Sequence, residues 1–233
     1  MAKIYLFPVP MGDTPVSHVL PQLNIELVAG VKHFVVENIR SARRFLKACD
    51  RTINIDSLSF VELNEHTPAE AVEAMLSPAL AGHDIGVISE AGCPAVADPG
   101  ADLVAVAQRK GIEVVPLVGP SSIIMSLMAS GFNGQSFAFC GYLPIDDARR
   151  ARALKEMERR IRNERQTQIF IETPYRNHRL IEDLCRRLPG DMLLCVASDI
   201  SGPRQNIITR RLSEWKKATY SYEKIPTIFL RYC

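Results

Sequence analysis

The sequence predicts an α/β protein with two α/β domains, the first built on a mostly parallel sheet and the second on a mixed sheet. In the first half, apolar runs of strand length alternate with amphipathic stretches of helix length, an order typical of parallel sheets covered by helices. A second series of strand-like runs starts after residue 135. With 233 residues and 47% hydrophobic side chains, the chain suits two domains. We expect them to span residues 1–118 and 119–233.

Periodicity and capping residues define the elements of the first half. The strand-like runs are residues 3–9, 34–37, 60–63, 84–89 and 113–118. Helices are predicted over residues 14–23, 42–49, 68–81, 102–110 and 122–129. Ser41 is the predicted cap of the second helix, while Thr67, Pro68 and Glu70 form a capping-box pattern before the third. Pro78 is expected to end or kink that third helix.

The second half continues with longer strands and a charged helix. The strand-like runs are residues 136–142, 168–172, 192–197, 206–209 and 227–230. Helices are predicted over residues 147–165 and 175–188, with a short helical turn over 212–215. Two sheets joined near residue 119 would leave a cleft between the domains, and such clefts are common ligand sites.

Composition and charge narrow the class of protein. The net charge of +2 neither requires nor excludes a nucleic-acid partner. No apolar run approaches the roughly 20 residues that span a bilayer, so we expect no membrane partner, and residues 1–7 lack a signal-peptide cleavage pattern. The six cysteines form no C-x-x-C pair and have no histidine at metal-ligand spacing. This predicts core thiols in a reducing, cytoplasmic compartment and no metal site.

Two turns rich in small residues follow buried strands, Ser89 to Gly100 and Gly119 to Ser122. Ligands of open α/β sheets bind at the carboxyl ends of the strands, and glycine lets a ligand approach the main chain. Neither turn carries a phosphate-binding glycine motif, so we expect a cofactor held by backbone groups and apolar walls. The loop after the first strand should face the same site. A structural interpretation stays open, because these residues also suit ordinary turns and helix caps.

Charged residues of the second half allow two interpretations each. Glu172 follows a buried strand and is a candidate for a ligand contact or, more commonly for such a residue, for a structural bond. The arginine-rich helix 147–165 is expected to be a solvated face with ion pairs such as Glu156 with Arg160. The alternative is a nucleic-acid surface. Other arginines would extend that surface if the fold gathers them: Arg40, Arg43, Arg44, Arg210 and Arg211.

Six segments, in order and over nearly the whole chain, resemble motifs of the tetrapyrrole methylase superfamily. Within it, they are most similar to the bacterial small-subunit ribosomal RNA cytidine 2′-O-methyltransferases. That family's S-D-A-G-T-P-x-x-S-D-P-G motif matches residues 89–100, and its A-E-D-T-R motif matches residues 36–40. Its T-P-I-G-N, V-x-P-x-P-G-P-S-A, F-x-G-F-L-P and Y-E-S-P-H-R motifs match residues 9–13, 115–122, 139–144 and 171–176.

The resemblance implies an S-adenosylmethionine-dependent methyltransferase, typically a homodimer, with the cofactor folded into the cleft between its domains. It implies cofactor contacts from Pro10, Gly92, Cys93, Val96, Ser121 and Ser122 and, by sheet position, from Ile171, Ala197 and Pro226. Structured ribosomal RNA, or the small ribosomal subunit, is the implied substrate. Because a ribose hydroxyl needs a base as it attacks a methyl group, Glu37 and Glu172 are the carboxylates predicted to act in catalysis.

The chain departs from this family at positions on the substrate side. Asn38 and Ile39 replace the Asp and Thr of A-E-D-T-R, Cys93 replaces a threonine, and residues 199–205 replace an L-T-K-x-x-E-E stretch. Two alternative functions therefore stay open. One is a methyltransferase that acts on a tetrapyrrole or precorrin-like small molecule, and the other is a non-catalytic cofactor-binding protein.

Overall fold

The computed structural model describes residues 2–233. These residues form two compact units, the first ending at Ser121 and the second running from Ser122 to Cys233. Each unit contains one five-stranded sheet. All strand pairs of the first sheet are parallel, whereas the second sheet is mixed. The prediction of two α/β domains with these sheet types is confirmed.

The first unit is a parallel sheet with helices on both faces. Its strands are β1 Lys3–Phe7, β2 His33–Val36, β3 Ser59–Glu62, β4 Ile85–Ile88 and β5 Glu113–Pro116. Its helices are α1 Val16–Val19, α2 Gln22–Gly30, α3 Ile39–Cys49, α4 Ala69–Ala74, α5 Ser77–Leu80 and α6 Gly100–Arg109. Alternate strand residues enter two separate apolar clusters, for example Ile4 and Ile85 on one face and Phe7 and Phe34 on the other. Such two-sided burial explains why the strands read as nearly continuous apolar runs.

The strand order of the first sheet is β3-β2-β4-β1-β5. From β1 the chain moves toward one edge through β2 and β3, and it then returns through β4 to β5 at the other edge. The direction of winding therefore changes between β1 and β4, which are neighbours. Ligands of doubly wound sheets bind in the crevice at such a switch point, outside the carboxyl ends of the strands.

Three helix starts in the first unit differ from the sequence prediction. The prediction of one helix over 14–23 is wrong, because Pro21 separates α1 from α2, and α2 continues to Gly30. The cap of α3 is Asn38 rather than Ser41, because the Asn38 side chain accepts hydrogen bonds from the amides of Arg40 and Ser41. The capping box predicted at Thr67 is absent. The Thr67 hydroxyl instead accepts a hydrogen bond from the Asn64 amide at 3.0 Å. The break expected at Pro78 is confirmed by the separation of α4 and α5.

The second unit has strand order β6-β7-β10-β8-β9. Its strands are β6 Phe137–Tyr142, β7 Thr167–Ile171, β8 Leu193–Ser198, β9 Asn206–Arg211 and β10 Thr227–Tyr232. Its helices are α7 Ser122–Ser130, α8 Asp147–Glu164, α9 Asn177–Arg187 and α10 Leu212–Trp215. Phe170 and Phe229 stack in the core beside Trp215, whose indole N–H donates to the Leu194 carbonyl at 2.9 Å. No helix within residues 2–233 is long and apolar enough to cross a bilayer.

The core of the second unit contains a buried arginine, and its replacement by methionine should stabilise the protein. Arg231 is fully buried and donates to the Leu154 carbonyl and the Met192 sulfur, while its Nε has no partner within residues 2–233. Burial lowers the pKa of this guanidinium to about 10. Because an unpaired buried charge is costly, we expect Arg231→Met to raise the free energy of unfolding in urea by about 1–3 kcal/mol. Arg231→Lys retains the charge and should give no gain; equal gains for both variants would contradict this explanation.

Candidate active site

The carboxyl ends of four adjacent strands of the first sheet bring the predicted site segments together. Glu37 follows β2, Ser89 follows β4, Pro10 lies just beyond β1, and the loop to Ser121 follows β5. Since β2, β4, β1 and β5 are consecutive in the sheet, these segments form one continuous edge. It includes the switch point between β4 and β1.

The turn after β4 is bonded to the segments that follow β2, β1 and β5. On one side, the Glu90 amide donates to Glu37 Oε2 at 2.9 Å. At the centre, Gly92 and Val9 exchange two backbone hydrogen bonds of 2.9 and 3.2 Å. On the other side, the Cys93 thiol donates to the Pro120 carbonyl at 3.3 Å. The small-residue turn is therefore a fixed part of the sheet edge rather than a loose connection.

A half-buried carboxylate holds the second half of this turn in shape. Asp98 Oδ1 accepts hydrogen bonds from the amides of Ala95 at 3.0 Å and Gly100 at 2.7 Å. Ala95 and Ala97 have φ angles of 63° and 62°, in the left-handed region that costs an alanine roughly 1–2 kcal/mol. Side chains at Gly100 are excluded, because an added Cβ would lie 2.8 Å from Asp98 Oδ1. Strain of this kind persists only where surrounding bonds enforce it, and it clusters at functional sites.

Glu37 and Asp98 line a small cavity together with Ser89. Its volume of about 10 Å³ is close to the space that one water molecule requires. Burial raises the pKa of Glu37, and the charges of Asp98 and Glu90 raise it further against the lowering effect of the Glu90 amide. Burial also raises the pKa of Asp98, against its amide bonds. Ser89 Oγ and Asp98 Oδ2 are buried and have no hydrogen-bond partner among the described residues.

The other cofactor residues expected in the first unit occupy this edge in different ways. Pro10 is half-buried beside the Gly92 bridge, and Gly92 is buried with a φ of +71°. Cys93 is half-buried, and burial raises the pKa of its thiol, which favours a structural role for the protonated form. Val96 is 50% exposed between the two strained alanines, and Ser121 ends the loop after β5. All five thus belong to one set of connected turns.

The second-unit candidates lie at one edge of the mixed sheet, apart from Ser122, which begins α7. Ile171 of β7 and Ala197 of β8 both pair with Ile228 of the central strand β10. Pro226 precedes β10, and its carbonyl accepts a bond from the Asp199 amide at 2.9 Å. Ile171, Ala197 and Pro226 are therefore close neighbours.

Glu172 is engaged in structural bonds at this second edge. It is buried, and its Oε1 accepts bonds from the Thr173 amide at 2.7 Å and the Thr173 hydroxyl at 3.3 Å. Arg176 Nη2 lies 3.1 Å from the same oxygen in an ion pair. These contacts order the start of the following helical segment.

Sequence reasoning missed several residues that shape the two edges. From the sequence, Asp98, Ser89 and Glu90 are predicted only as members of the turn and motif at residues 89–100. Asn177 was not singled out, yet its buried amide donates to the carbonyls of Tyr222 and Ile225 and to the Thr227 hydroxyl, which holds the loop containing Pro226. For Asp98, the sequence did contain a signal. It directly precedes Pro99 and Gly100 in a turn, where an Asp side chain commonly bonds nearby amides.

Most arginines of helix α8 form ion pairs with carboxylates of α8 or of neighbouring segments. Arg159 and Arg160 both bond Glu156, and Arg162 bonds Glu158. Arg150 reaches the buried Asp183 at 3.4 Å. The predicted pairing of Glu156 with Arg160 is confirmed, and the pairing favours the solvated-face interpretation of this helix over a phosphate-binding one.

Comparison with known protein families yields one matching family model. Residues 10–216 match the family "Tetrapyrrole (Corrin/Porphyrin) Methylases". The chain is 30% identical over 211 residues to the "Ribosomal RNA small subunit methyltransferase I" of Vibrio cholerae, covering 91% of this chain and 69% of the relative. The protein of the same name from Halalkalibacterium halodurans is 30% identical over 214 residues, covering 91% of this chain and 64% of the relative. The chain thus spans about two thirds of the length of these relatives.

Solved structures share the fold of the whole chain. The methyltransferase CobJ aligns with a TM-score of 0.65 at 16% identity, covering 99% of this chain and 93% of that one. A uroporphyrin-III C-methyl transferase from Thermus thermophilus, solved with S-adenosyl homocysteine, aligns with a TM-score of 0.59 at 16% identity, covering 99% and 97%. At such identities the likeness establishes the architecture alone.

Proposed function

Because this chain belongs to the tetrapyrrole (Corrin/Porphyrin) methylase family of S-adenosylmethionine-dependent methyltransferases, we propose that it methylates a ribose 2′-hydroxyl of small-subunit ribosomal RNA. The chain is thus an enzyme that uses S-adenosylmethionine as its methyl donor. The assignment of RNA as the substrate rests on the 30% identity, over 91% of the chain, with relatives named for ribosomal RNA. The tetrapyrrole enzymes share the fold at 16% identity, which gives no comparable support for a tetrapyrrole substrate.

The residues at the carboxyl edge of the first sheet fit a cofactor held by backbone groups. The supporting observations are the positive φ of the buried Gly92, the bonds that fix this turn to both neighbouring loops, and the unpartnered hydroxyl of Ser89. The proposed contacts from the first unit are Pro10, Gly92, Cys93, Val96 and Ser121. We also propose contacts from the second unit by Ser122, Ile171, Ala197 and Pro226. When bound, the sulfonium of the cofactor supplies an electrophilic methyl group.

Glu37 is the carboxylate we assign as general base. A ribose hydroxyl becomes a competent nucleophile as it loses its proton, which Glu37 Oε1 would accept while Oε2 keeps the Glu90 amide bond at 2.9 Å. Burial raises the pKa of Glu37, and a raised value brings a carboxylate closer to the neutral range in which a base is efficient. Glu172 is less suited, because its ion pair with Arg176 and its bonds from Thr173 give the carboxylate a structural role. It remains the second candidate.

A homodimer in the cytoplasm is the proposed working form. The six cysteines are free thiols, as expected in a reducing compartment. Ile124 and Met128 lie four residues apart on α7 and are exposed to 44% and 78%, so this helix presents an apolar face of the kind that subunit interfaces use. Sedimentation of the purified protein should give twice the 26.0 kDa mass of the chain.

Two measurements test the proposed function. Calorimetry should show binding of S-adenosyl homocysteine to the purified protein, and methylation mapping of small-subunit ribosomal RNA should reveal a 2′-O-methyl group that is lost in a gene deletion strain and restored by the gene. Cofactor binding without any RNA mark would favour a small-molecule substrate or a non-catalytic role. Absence of cofactor binding would remove the proposal altogether.

A glycine substitution tests the proposed cofactor turn. Gly92 and Gly111 have φ angles of +71° and +67°, so alanine should cost each site a similar roughly 1–2 kcal/mol of backbone strain. Gly92→Ala places a methyl group 3.5 Å from the Pro120 carbonyl oxygen of the loop after β5, whereas Gly111→Ala meets open space. We expect Gly92→Ala alone to weaken S-adenosyl homocysteine binding about tenfold, or 1.4 kcal/mol. Equal affinities for the two variants would argue against this turn as the cofactor site.

A further inference from the structure

A large cavity in the first unit extends from the candidate active site along helix α3. Its volume is about 1010 Å³, at the upper end of the roughly 300–1,000 Å³ typical of ligand pockets. The loop after β1 forms one wall, including Pro10, and α3 forms the opposite wall. Ser89 and Glu90 lie at the end nearest the sheet. A molecule in this cavity would therefore reach the strand ends that carry Glu37.

The α3 wall carries three basic residues, Arg44, Lys47 and Arg51, which we call the α3 stripe. All three are exposed. Arg44 and Lys47 lie three residues apart on one side of α3, and Arg51 lies in the turn just after this helix ends at Cys49. A partner that contacts all of them must carry charges along its length, as a chain of phosphates does and a single ion does not.

The Asp50 carboxylate interacts electrostatically with Lys47, but the three positive charges of the α3 stripe exceed what this one carboxylate offsets. No ion pair within residues 2–233 involves Arg44, Lys47 or Arg51. Lys47 donates one bond, to the Arg51 carbonyl at 2.9 Å. The nearby Asp50 carboxylate accepts bonds from the amide and hydroxyl of Thr52. This state contrasts with most arginines of α8, where ion pairs hold Arg149, Arg150, Arg159, Arg160 and Arg162.

The acidic groups of the cavity are Asp13 and Glu90. Glu90 accepts a bond from the Ser41 hydroxyl at 3.2 Å, next to the strand ends. Glu90 thus makes the inner end near Glu37 acidic, Asp13 lies on the wall formed by the loop after β1, and α3 forms a basic wall. This separation suits an RNA strand, whose hydroxyl must approach a carboxylate while its phosphates need cations.

We propose that the α3 stripe binds the backbone phosphates that flank the target nucleotide of the RNA substrate, and that the cavity receives this nucleotide. The proposal rests on the proposed function, and it names the surface and the RNA feature that such a methyltransferase uses. Sequence-specific RNA recognition mostly targets unpaired nucleotides, and arginine pairs with phosphate through a two-pronged set of donors. The stripe therefore positions a single-stranded or looped segment.

The test compares two triple variants that each remove three positive charges. The first is Arg44→Gln, Lys47→Gln, Arg51→Gln; the matched control is Arg149→Gln, Arg152→Gln, Lys155→Gln on the exposed side of α8. Binding to small ribosomal subunits from the deletion strain is measured at fixed Mg²⁺ and increasing monovalent salt. Each lost phosphate contact should reduce the slope of log affinity against log salt by about 0.7–0.9. We expect the α3 variant to lose about 2–3 units of slope and the control to keep the slope of the parent protein.

Separate outcomes distinguish this proposal from the proposed function. If the parent protein binds S-adenosyl homocysteine and methylates the subunits, but the α3 variant keeps the parent slope, the stripe proposal is wrong while the function stands. A slope lost only in the α8 control would move the RNA surface to that helix. A poly-glutamate peptide that displaces the subunits from the parent protein at equal charge concentration would instead identify an acidic protein as the ligand. Unchanged cofactor affinity and unfolding midpoint in both variants would establish that they are folded.

Discussion

Glu37→Gln is expected to lower kcat for RNA methylation by about 10²–10⁴-fold, the usual range for loss of a general base. The glutamine keeps an oxygen that can accept the hydrogen bond from the Glu90 amide, which is 2.9 Å long in the parent protein. Its NH2 group, which replaces the second carboxylate oxygen, cannot take the proton of the ribose hydroxyl. Turnover with small ribosomal subunits should therefore fall, while S-adenosyl homocysteine affinity measured by calorimetry stays within about threefold of the parent value.

The pH dependence of kcat adds a second readout for Glu37. Burial raises the pKa of this carboxyl, and a base is active only when it is deprotonated. The rate of the parent enzyme should fall as the pH is lowered through the raised pKa, beginning above the ordinary range for glutamate. Glu37→Gln should lack this acidic limb. Glu172→Gln is the matched comparison; a loss of kcat confined to it, with the acidic limb kept by Glu37→Gln, would make Glu172 the base.

Asp98→Ala is expected to destabilise the protein by about 2–4 kcal/mol in urea unfolding and to weaken S-adenosyl homocysteine binding. The alanine leaves the amides of Ala95 and Gly100 without their acceptor, and a buried group that loses its partner costs about 1–3 kcal/mol. The same bonds hold Ala95 and Ala97 in the left-handed region. Without them the turn can relax, and the backbone that we propose to contact the cofactor changes its shape.

Asp98→Asn is the matched control for that prediction. Asparagine keeps an acceptor oxygen and fits the same space, so its cost should stay below about 1.5 kcal/mol. Because burial raises the folded-state pKa of Asp98, the aspartic acid contributes stability that is complete below its unfolded pKa and is lost as pH rises through the raised folded value. The asparagine variant should lack this contribution to pH dependence. A loss of stability as large in Asp98→Asn as in Asp98→Ala would indicate that charge, rather than the turn bonds, matters.

Local pattern predicted the alternation of strands and helices well, because each buried strand is a short apolar run. The runs at 84–89 and 113–118 contain β4 and β5. The small residues at 89–100 also predicted the turn after β4. The two-sided cover by helices follows from strands that are apolar on both faces.

Local pattern failed where several residues could serve the same purpose. Asn38, Ser41 and Thr67 all prefer helix caps, and the choice among them depends on where the preceding strand delivers the chain. Asn38 follows β2 closely and caps α3, whereas the Thr67 hydroxyl is bonded to the Asn64 amide within the loop before α4. The helix predicted over 14–23 failed because its apolar spacing outweighed Pro21, which lacks the N–H that an uninterrupted helix needs.

The sequence by itself determined the family, the fold class, and the small-residue segments that meet at the first sheet. It did so because strand and helix periods, turn residues and motif order are properties of neighbouring residues. Only the tertiary structure decided what Glu37 contacts: Glu90 is 53 residues away in the chain, yet its backbone amide donates to the Glu37 carboxylate because β2 and β4 are neighbours. It also decided that most arginines of α8 form ion pairs, whereas Arg44 on α3 and Arg51 just after it line a cavity. Strand order and ion pairing depend on long-range packing, which no local period of the sequence records.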